Sequence, residues 1–244
     1  MKAMDQKEMT AMKASSWKIF DRIFKRYDIL NRLLSGGFDV YWRRKLAQSL
    51  PQEGKQKVLD LATGTGDVVF SIAKHRPKDV QSIMGMDLSE NMLTVAREKH
   101  DALHSNVPIT FSQGDAAHIP LSDASVDVVT ISFGIRNVEA YETAFKEMCR
   151  VLTPGGSCFV LECSVPQNVI VRFFYLIYFR HILPFVGGLI SGDSSAYRYL
   201  NRTVETFPQR QALCDAIQRQ GLEAVNWTDL TCGTVTLYRA RKPV

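Results

Sequence analysis

The stretch "KVLDLATGTGDVVFSIAKH", Lys57 to His75, constrains this chain more than any other. An apolar run, Val58 to Leu61, ends in a Thr/Gly-rich turn, and apolar periodicity resumes at Val68. A buried strand, a tight turn and a helix in that order make a βα unit whose turn can present backbone to a nucleotide.

The alternation continues downstream. A second strand, "QSIMGMDL", precedes the helix "SENMLTVAREKH", with Ser89 as its N-cap. Strands "PITFSQGD" and "VDVVTISFG" follow. A helix is expected over roughly Val138 to Leu152, stopped by the turn "TPGG", and then the strand "SCFVLECS". The helix "FPQRQALCDAIQRQG", closed by Gly221, and the strands "LEAVNWTDL" and "GTVTLYRA" end the chain. Repeated βα units predict an α/β fold with a doubly wound, mostly parallel, seven-stranded sheet. No helix separates the last two strands, so the final one is expected to run antiparallel.

Residues 1–55 read as a helical cap. Ile19, Ile23, Tyr27, Leu30 and Leu34 recur at helical spacing until Gly36 and Gly37, and a second helix is expected over Tyr41 to Leu50. Residues 56–244 form the ligand-binding domain, with a helical insertion at about 165–205. The insertion holds "VIVRFFYLIYFRHILPFVGGLI", Val169 to Ile190, interrupted by Arg172, Arg180, His181 and Pro184. Its longest clean run, "FFYLIYF", is short of the roughly 20 residues of a spanning helix.

Bulk properties narrow the function classes. A hydrophobic content of 45% over 244 residues supplies a sizeable core. A net charge of +5, mixed along the chain, does not demand nucleic acid, and none is expected as a partner; it would equally suit an anionic membrane. Five cysteines without a CxxC pair argue against a disulfide framework and a zinc site, leaving reduced cytoplasmic thiols and no metal. The opening "MKAMDQKEMTAMK" is too polar for a secretory signal.

The first turn selects the ligand. Gly64 and Gly66 match the first two glycines of a dinucleotide fingerprint, but Val69 stands where the third belongs. No lysine makes it a P-loop. Asp60, Asp87 and Asp115 meanwhile end three consecutive strands. Carboxylates on one sheet edge suit ribose hydroxyls, an adenine amino group and a cationic amino-acid tail, and suit pyrophosphate poorly. S-adenosylmethionine has those groups and no phosphate. Taken singly, a Gly-x-Gly is most often a plain turn and an Asp after a strand most often a cap.

The blocks "VLDLATGTGD", "GMDLSENML", "SQGDAAHIPL", "SFGIRNV" and "MCRVLTPGG" together resemble class I S-adenosylmethionine-dependent methyltransferases. More narrowly, "FDRIFKRYDILNRLLSGG", "TISFGIRNV", "SAYRYLNRTVETFP" and "DLTCGTVTLYRARK" resemble the UbiE/MenG family, which C-methylates the ring of prenylated quinone precursors. The resemblance implies a Rossmann-like fold. It also implies that Thr65 in its glycine turn, Asp87, Asp115, Ala116 and Ser132 contact the methyl donor, Asp87 at the ribose and Asp115 at the adenine. Arg136 and Asn137 would face the acceptor ring. Three positions depart from the family pattern: Thr63 replaces a glycine, Asp39 and Val40 replace a His-Arg pair, and Cys232 stands where glycine is frequent.

Such a resemblance implies methylation of demethylmenaquinol to menaquinol. The alternatives are a ubiquinone-pathway benzoquinol or another small apolar phenol, and, further off, a non-catalytic donor-binding protein or an NAD oxidoreductase. Arg136 is the candidate catalytic residue, its fixed charge suited to a developing phenolate, against the plainer role of pairing with a nearby acid. Tyr27 and Tyr197, with Asp28 and Glu162, are further acceptor-pocket candidates. The apolar insertion suits a prenyl-tail pocket, a peripheral contact at the inner face of the membrane, or plain core. A homodimer is compatible with all of this.

Overall fold

The computed structural model describes residues 16–52, 54–103, 105–191 and 194–244; the side chains of Ile19, Ile23 and Tyr197 lie outside the described residues. Among the described residues two helices, α1 (Ser16–Leu34) and α2 (Phe38–Ser49), precede the sheet. They are divided where Gly36 and Gly37 both take positive φ. The order is then β1 (Gln56–Leu61), α3 (Asp67–His75), β2 (Val80–Asp87), α4 (Glu90–Ala102), β3 (Ile109–Gln113) and β4 (Val126–Ser132). After a 3-10 turn at Ile135–Asn137 come α5 (Tyr141–Val151) and β5 (Leu152–Cys163). The insertion contains α6 (Val169–Ile177), a π-helical turn (Tyr178–Ile182), α7 (Leu183–Ser191) and α8 (Ser194–Thr206). Helix α9 (Gln211–Arg219) and strands β6 (Glu223–Leu230) and β7 (Val235–Arg241) complete the chain.

The seven strands lie in the order β3-β2-β1-β4-β5-β7-β6. The first five are parallel, and β7 runs antiparallel to both β5 and β6. Strand order reverses between β1 and β4, so the crevice for a ligand opens beyond their carboxyl ends.

Alternation along the buried strands feeds two apolar layers. Leu59, Leu61, Val129 and Ile131 pack on Phe145, Met148, Leu213 and Ile217. Val58, Val128, Phe159 and Leu161 pack on Leu46, Val69 and Ile72. A third, smaller cluster of Leu30, Phe179, Leu183 and Val204 joins the insertion to α1.

Two segments differ from the sequence expectation. The "TPGG" turn lies within β5: pairing jumps from Val126–Leu152 to Val128–Ser157, so these residues bulge from an otherwise continuous strand. The insertion helix widens to a π turn just before Pro184. Proline lacks the N–H that would bond the carbonyl of residue 180, and the ladder shifts around that gap.

Candidate active site

Beyond the carboxyl ends of β1, β2 and β4 lies a cavity of about 390 Å³. Gly64, Asp87, Met92, Asp115, Ala116 and Ser132 are among its walls. Asp87 ends β2, and each of its oxygens is engaged. Oδ2 accepts the Gly64 N–H at 2.8 Å and Oδ1 accepts the Ser89 N–H at 2.9 Å. Burial raises its pKa against these hydrogen bonds. The carboxylate thereby fixes the glycine turn and the start of α4 with one group. Ser89 itself caps α4 by accepting the Met92 N–H. Asp115 Oδ1 accepts the Ala117 N–H at 2.9 Å, which closes the loop that places Ala116 in the wall.

Two features of this cavity ask for a polar ligand. The Ser132 hydroxyl is buried with no hydrogen-bond partner among the described residues. A side chain built on Gly64 would project into open space, so the glycine, at φ +56, leaves backbone bare at the wall. A nucleoside with ribose hydroxyls and an amino-acid tail fits this donor and acceptor set.

The other expected donor-site residues sit behind the wall. Asp60 is 1% exposed and lies under the turn, where its oxygens accept the hydroxyls of Thr130 at 2.5 Å and Thr63 at 2.7 Å. Burial raises its pKa to about 7. The three strand-end acids are therefore not equivalent: Asp87 and Asp115 face the cavity, and Asp60 supports the loop. Thr65 is also buried, and its hydroxyl donates to Asp28 at 2.6 Å. Gly66 caps α3 with φ +83. Thr63 avoids positive φ, as its replacement of glycine requires, and spends its hydroxyl on Asp60.

A second cavity, about 300 Å³ and mostly apolar, adjoins the first. Leu30, Leu34, Tyr175, Phe179, Leu183 and Leu200 form much of its wall, and Tyr27 and Phe133 belong to both cavities. Arg136 enters this wall from the 3-10 turn after β4. Its Nη1 donates to Glu162 Oε1 at 2.5 Å and to the Phe133 carbonyl at 2.6 Å, with both side chains buried. Burial opposes the charge most strongly, but Glu162 together with Cys163, Tyr27 and Tyr199 outweighs it and the pKa is raised. Arg136 Nε has no partner among the described residues. Burial also raises the pKa of Tyr27, which stays a neutral phenol. Asn137 lines the donor cavity and not this one, its Nδ2 donating to the Phe133 carbonyl at 3.5 Å. Helix α8 carries Tyr197, whose side chain lies outside the described residues.

Helices α1 and α2 contribute further polar residues: Asp21, which local sequence patterns did not single out, and Asp28 and Asp39, of which Asp28 meets Thr65 and Lys99 and is not in the apolar cavity's wall. Asp21 accepts the Ser89 hydroxyl at 2.6 Å, so α1 is tied to the cap of α4. Asp28 pairs with Lys99 at 2.5 Å besides accepting Thr65. Asp39 is buried in the second cavity's wall between Arg43 and Arg32, and Arg43 reaches on to Asp67 at 3.4 Å. Cys232, where glycine is frequent in the resembling family, takes φ +55.

The chain is 46% identical over 220 residues to the "Ubiquinone/menaquinone biosynthesis C-methyltransferase UbiE" of Syntrophotalea carbinolica, covering 90% of this chain and 91% of that one. It is 40% identical to the demethylmenaquinone methyltransferase of Thermus thermophilus, covering 92% of this chain and 100% of that one. Among solved structures, a SAM-dependent methyltransferase from Thermotoga maritima matches with a TM-score of 0.63 at 19% identity, over 93% of this chain and 99% of that one, which supports the fold. Residues 6–242 match the model described as the ubiE/COQ5 methyltransferase family, and the chain belongs to that family.

Proposed function

We propose that the protein transfers a methyl group from S-adenosylmethionine to a ring carbon of a prenylated quinol, converting demethylmenaquinol to menaquinol. The observation that carries this reading is the meeting of a polar cavity and an apolar one at Tyr27 and Phe133. Family membership and the names of the relatives support it.

Bound S-adenosylmethionine supplies an electrophilic methyl group. Asp87 and Asp115 orient the nucleoside through its hydroxyls and amino group, and Ser132 offers a further hydroxyl. Arg136 acts on the acceptor. Its charge stabilises a quinol oxygen as that oxygen gives its proton to water and becomes phenolate, which enriches the ring carbon in electrons, and the unpartnered Nε–H is the group that donates to that oxygen. The methylated ring carbon then loses its own proton to water. Glu162 holds the guanidinium in place. Tyr27, between the cavities, positions the ring and excludes bulk water. The apolar wall takes the prenyl chain, and a peripheral contact at the cytoplasmic face of the membrane would bring that chain within reach.

The test offers a demethylated naphthoquinol and a benzoquinol together with methyl-labelled S-adenosylmethionine. The expected result is label in the naphthoquinol. Label in the benzoquinol alone transfers the assignment to the ubiquinone pathway, and label in neither removes the quinol reading.

A further inference from the structure

Apolar side chains at the surface are unevenly distributed. Twelve of the sixteen large hydrophobic residues exposed among the described residues lie in two segments, 29–41 and 169–185. Phe173 and Phe174 are 61% and 65% exposed, and Phe185 is 68% exposed. The stretch Val169–Gly188 has a mean hydropathy of 1.6, as apolar as a membrane span, yet only 11% of it is buried. A soluble monomer rarely leaves so large a contiguous apolar surface open. The two segments adjoin, since the Tyr178 hydroxyl donates to the Leu34 carbonyl at 2.6 Å.

We infer that this face docks on a bilayer containing anionic lipid, with Phe173, Phe174 and Phe185 entering the headgroup–acyl boundary. Charge favours lipid over a second copy of the chain. The sequence has no Asp or Glu between Cys163 and Asp193, and between Asp28 and Glu53 the only acid is the buried Asp39. The cations Arg172, Arg44 and Lys45 are exposed here, with Lys45 Nζ 5.6 Å above the Tyr41 ring; Arg180 is already paired with Glu205. Two such faces pressed together would set cation against cation with no carboxylate between them. Lipid phosphates neutralise the same groups.

Continuity with the second cavity gives the docking its purpose, and this step rests on the prenylated-quinol reading. The inward sides of the same helices, at Tyr175, Phe179 and Leu183, line that cavity, while half-exposed Phe38 belongs to its wall and to the patch. A quinol tail could then pass from acyl chains to cavity without crossing water.

The experiment is flotation of the full chain with phosphatidylcholine vesicles, with and without phosphatidylglycerol, alongside light scattering of the free protein. The expected result is flotation with the mixed vesicles, weakened about tenfold by Phe173→Ser with Phe174→Ser. Arg172→Gln with Arg44→Gln should remove the preference for phosphatidylglycerol. The Phe variant should keep wild-type turnover on a short-tailed quinol dissolved in buffer, which shows that it is folded. Failure of the wild type to float, or undiminished flotation of the Phe variant, overturns the inference. So does a wild-type dimer that the Phe variant converts to monomer, since a second copy then covers the face. Flotation requires no quinol, so a floating protein that methylates neither quinol loses its substrate assignment and keeps its membrane surface.

Discussion

Arg136 and Glu162 form a buried ion pair, Nη1 to Oε1 at 2.5 Å, in the wall of the apolar cavity. The same Nη1 bonds the carbonyl of Phe133, so one guanidinium joins the ends of β4 and β5. A pairing role and a catalytic role both fit this geometry, and they differ in what mutation does. Glu162→Gln strands a buried charge and should cost about 3–5 kcal/mol. Arg136→Met with Glu162→Gln removes both charges and should recover most of that loss. Chemical denaturation measures the recovery. Turnover of the double variant should stay at least a hundredfold below wild type while donor binding by calorimetry persists. A stable double variant with normal turnover would reduce Arg136 to a structural residue.

Asp87 and Ser132 share the donor cavity but differ in what they already bond. The Asp87 carboxylate accepts two backbone N–H groups, so Asp87→Asn turns an amide NH₂ toward one of them. Stability and affinity for S-adenosylhomocysteine should fall together, the affinity by tenfold or more. The Ser132 hydroxyl has no partner among the described residues. Ser132→Ala should leave stability unchanged or slightly higher and weaken donor binding by only a few fold. Titration calorimetry beside thermal melts checks both; an equal loss of stability in the two variants would contradict the distinction.

Most of the fold was legible in local sequence, as was the sheet edge at which the polar cavity opens. Helix α3 runs from Asp67 to His75 where apolar periodicity resumes, because its start is set by a turn and its end by loss of apolar periodicity. Ser89 is the expected cap. What local patterns could not reveal depends on contacts between distant segments. Nothing near Asp60 distinguishes it from Asp87. Besides Thr63, it is Thr130, seventy residues on, whose hydroxyl takes up its carboxylate behind the turn. Thr65 likewise turns to Asp28 because α1 folds over the turn. Asp39, one of the two residues standing where the resembling family has a His-Arg pair, bonds Arg43, and no motif announced that pairing.

The buried Asp60 predicts a pH dependence of stability. Burial raises its pKa from 3.8 to about 7, despite hydrogen bonds from Thr130 and Thr63. Between those values the folded chain keeps a proton that the unfolded chain has lost. The contribution of this group is therefore fully present below 3.8 and disappears as pH rises through about 7, a difference of roughly 4 kcal/mol. Asp60→Asn cannot ionise and should flatten the stability profile across that window. Urea denaturation of both proteins from pH 4 to 8 measures it. Parallel profiles would show that Asp60 titrates normally.

Ala62 and Gly134 meet at the floor of the site. Ala62 takes φ +48 at the end of β1, and Phe133 takes φ +56 at the end of β4, so two non-glycine residues hold a left-handed backbone beside the cavity. A Cβ on Gly134 would lie 2.5 Å from the Ala62 Cβ, too close for either strand end to stay in place. Gly134→Ala should therefore cost about 1–3 kcal/mol and weaken donor binding, because Ala62 and Gly134 both line the donor cavity. Adding Ala62→Gly removes the opposing Cβ and relieves the positive φ. That double variant should recover most of the lost stability, although the second glycine gives back part of the gain through chain entropy. Denaturation midpoints of the two single variants and the double variant decide the matter. If the double variant is no more stable than Gly134→Ala alone, the Cβ contact between Ala62 and residue 134 is not what limits that position.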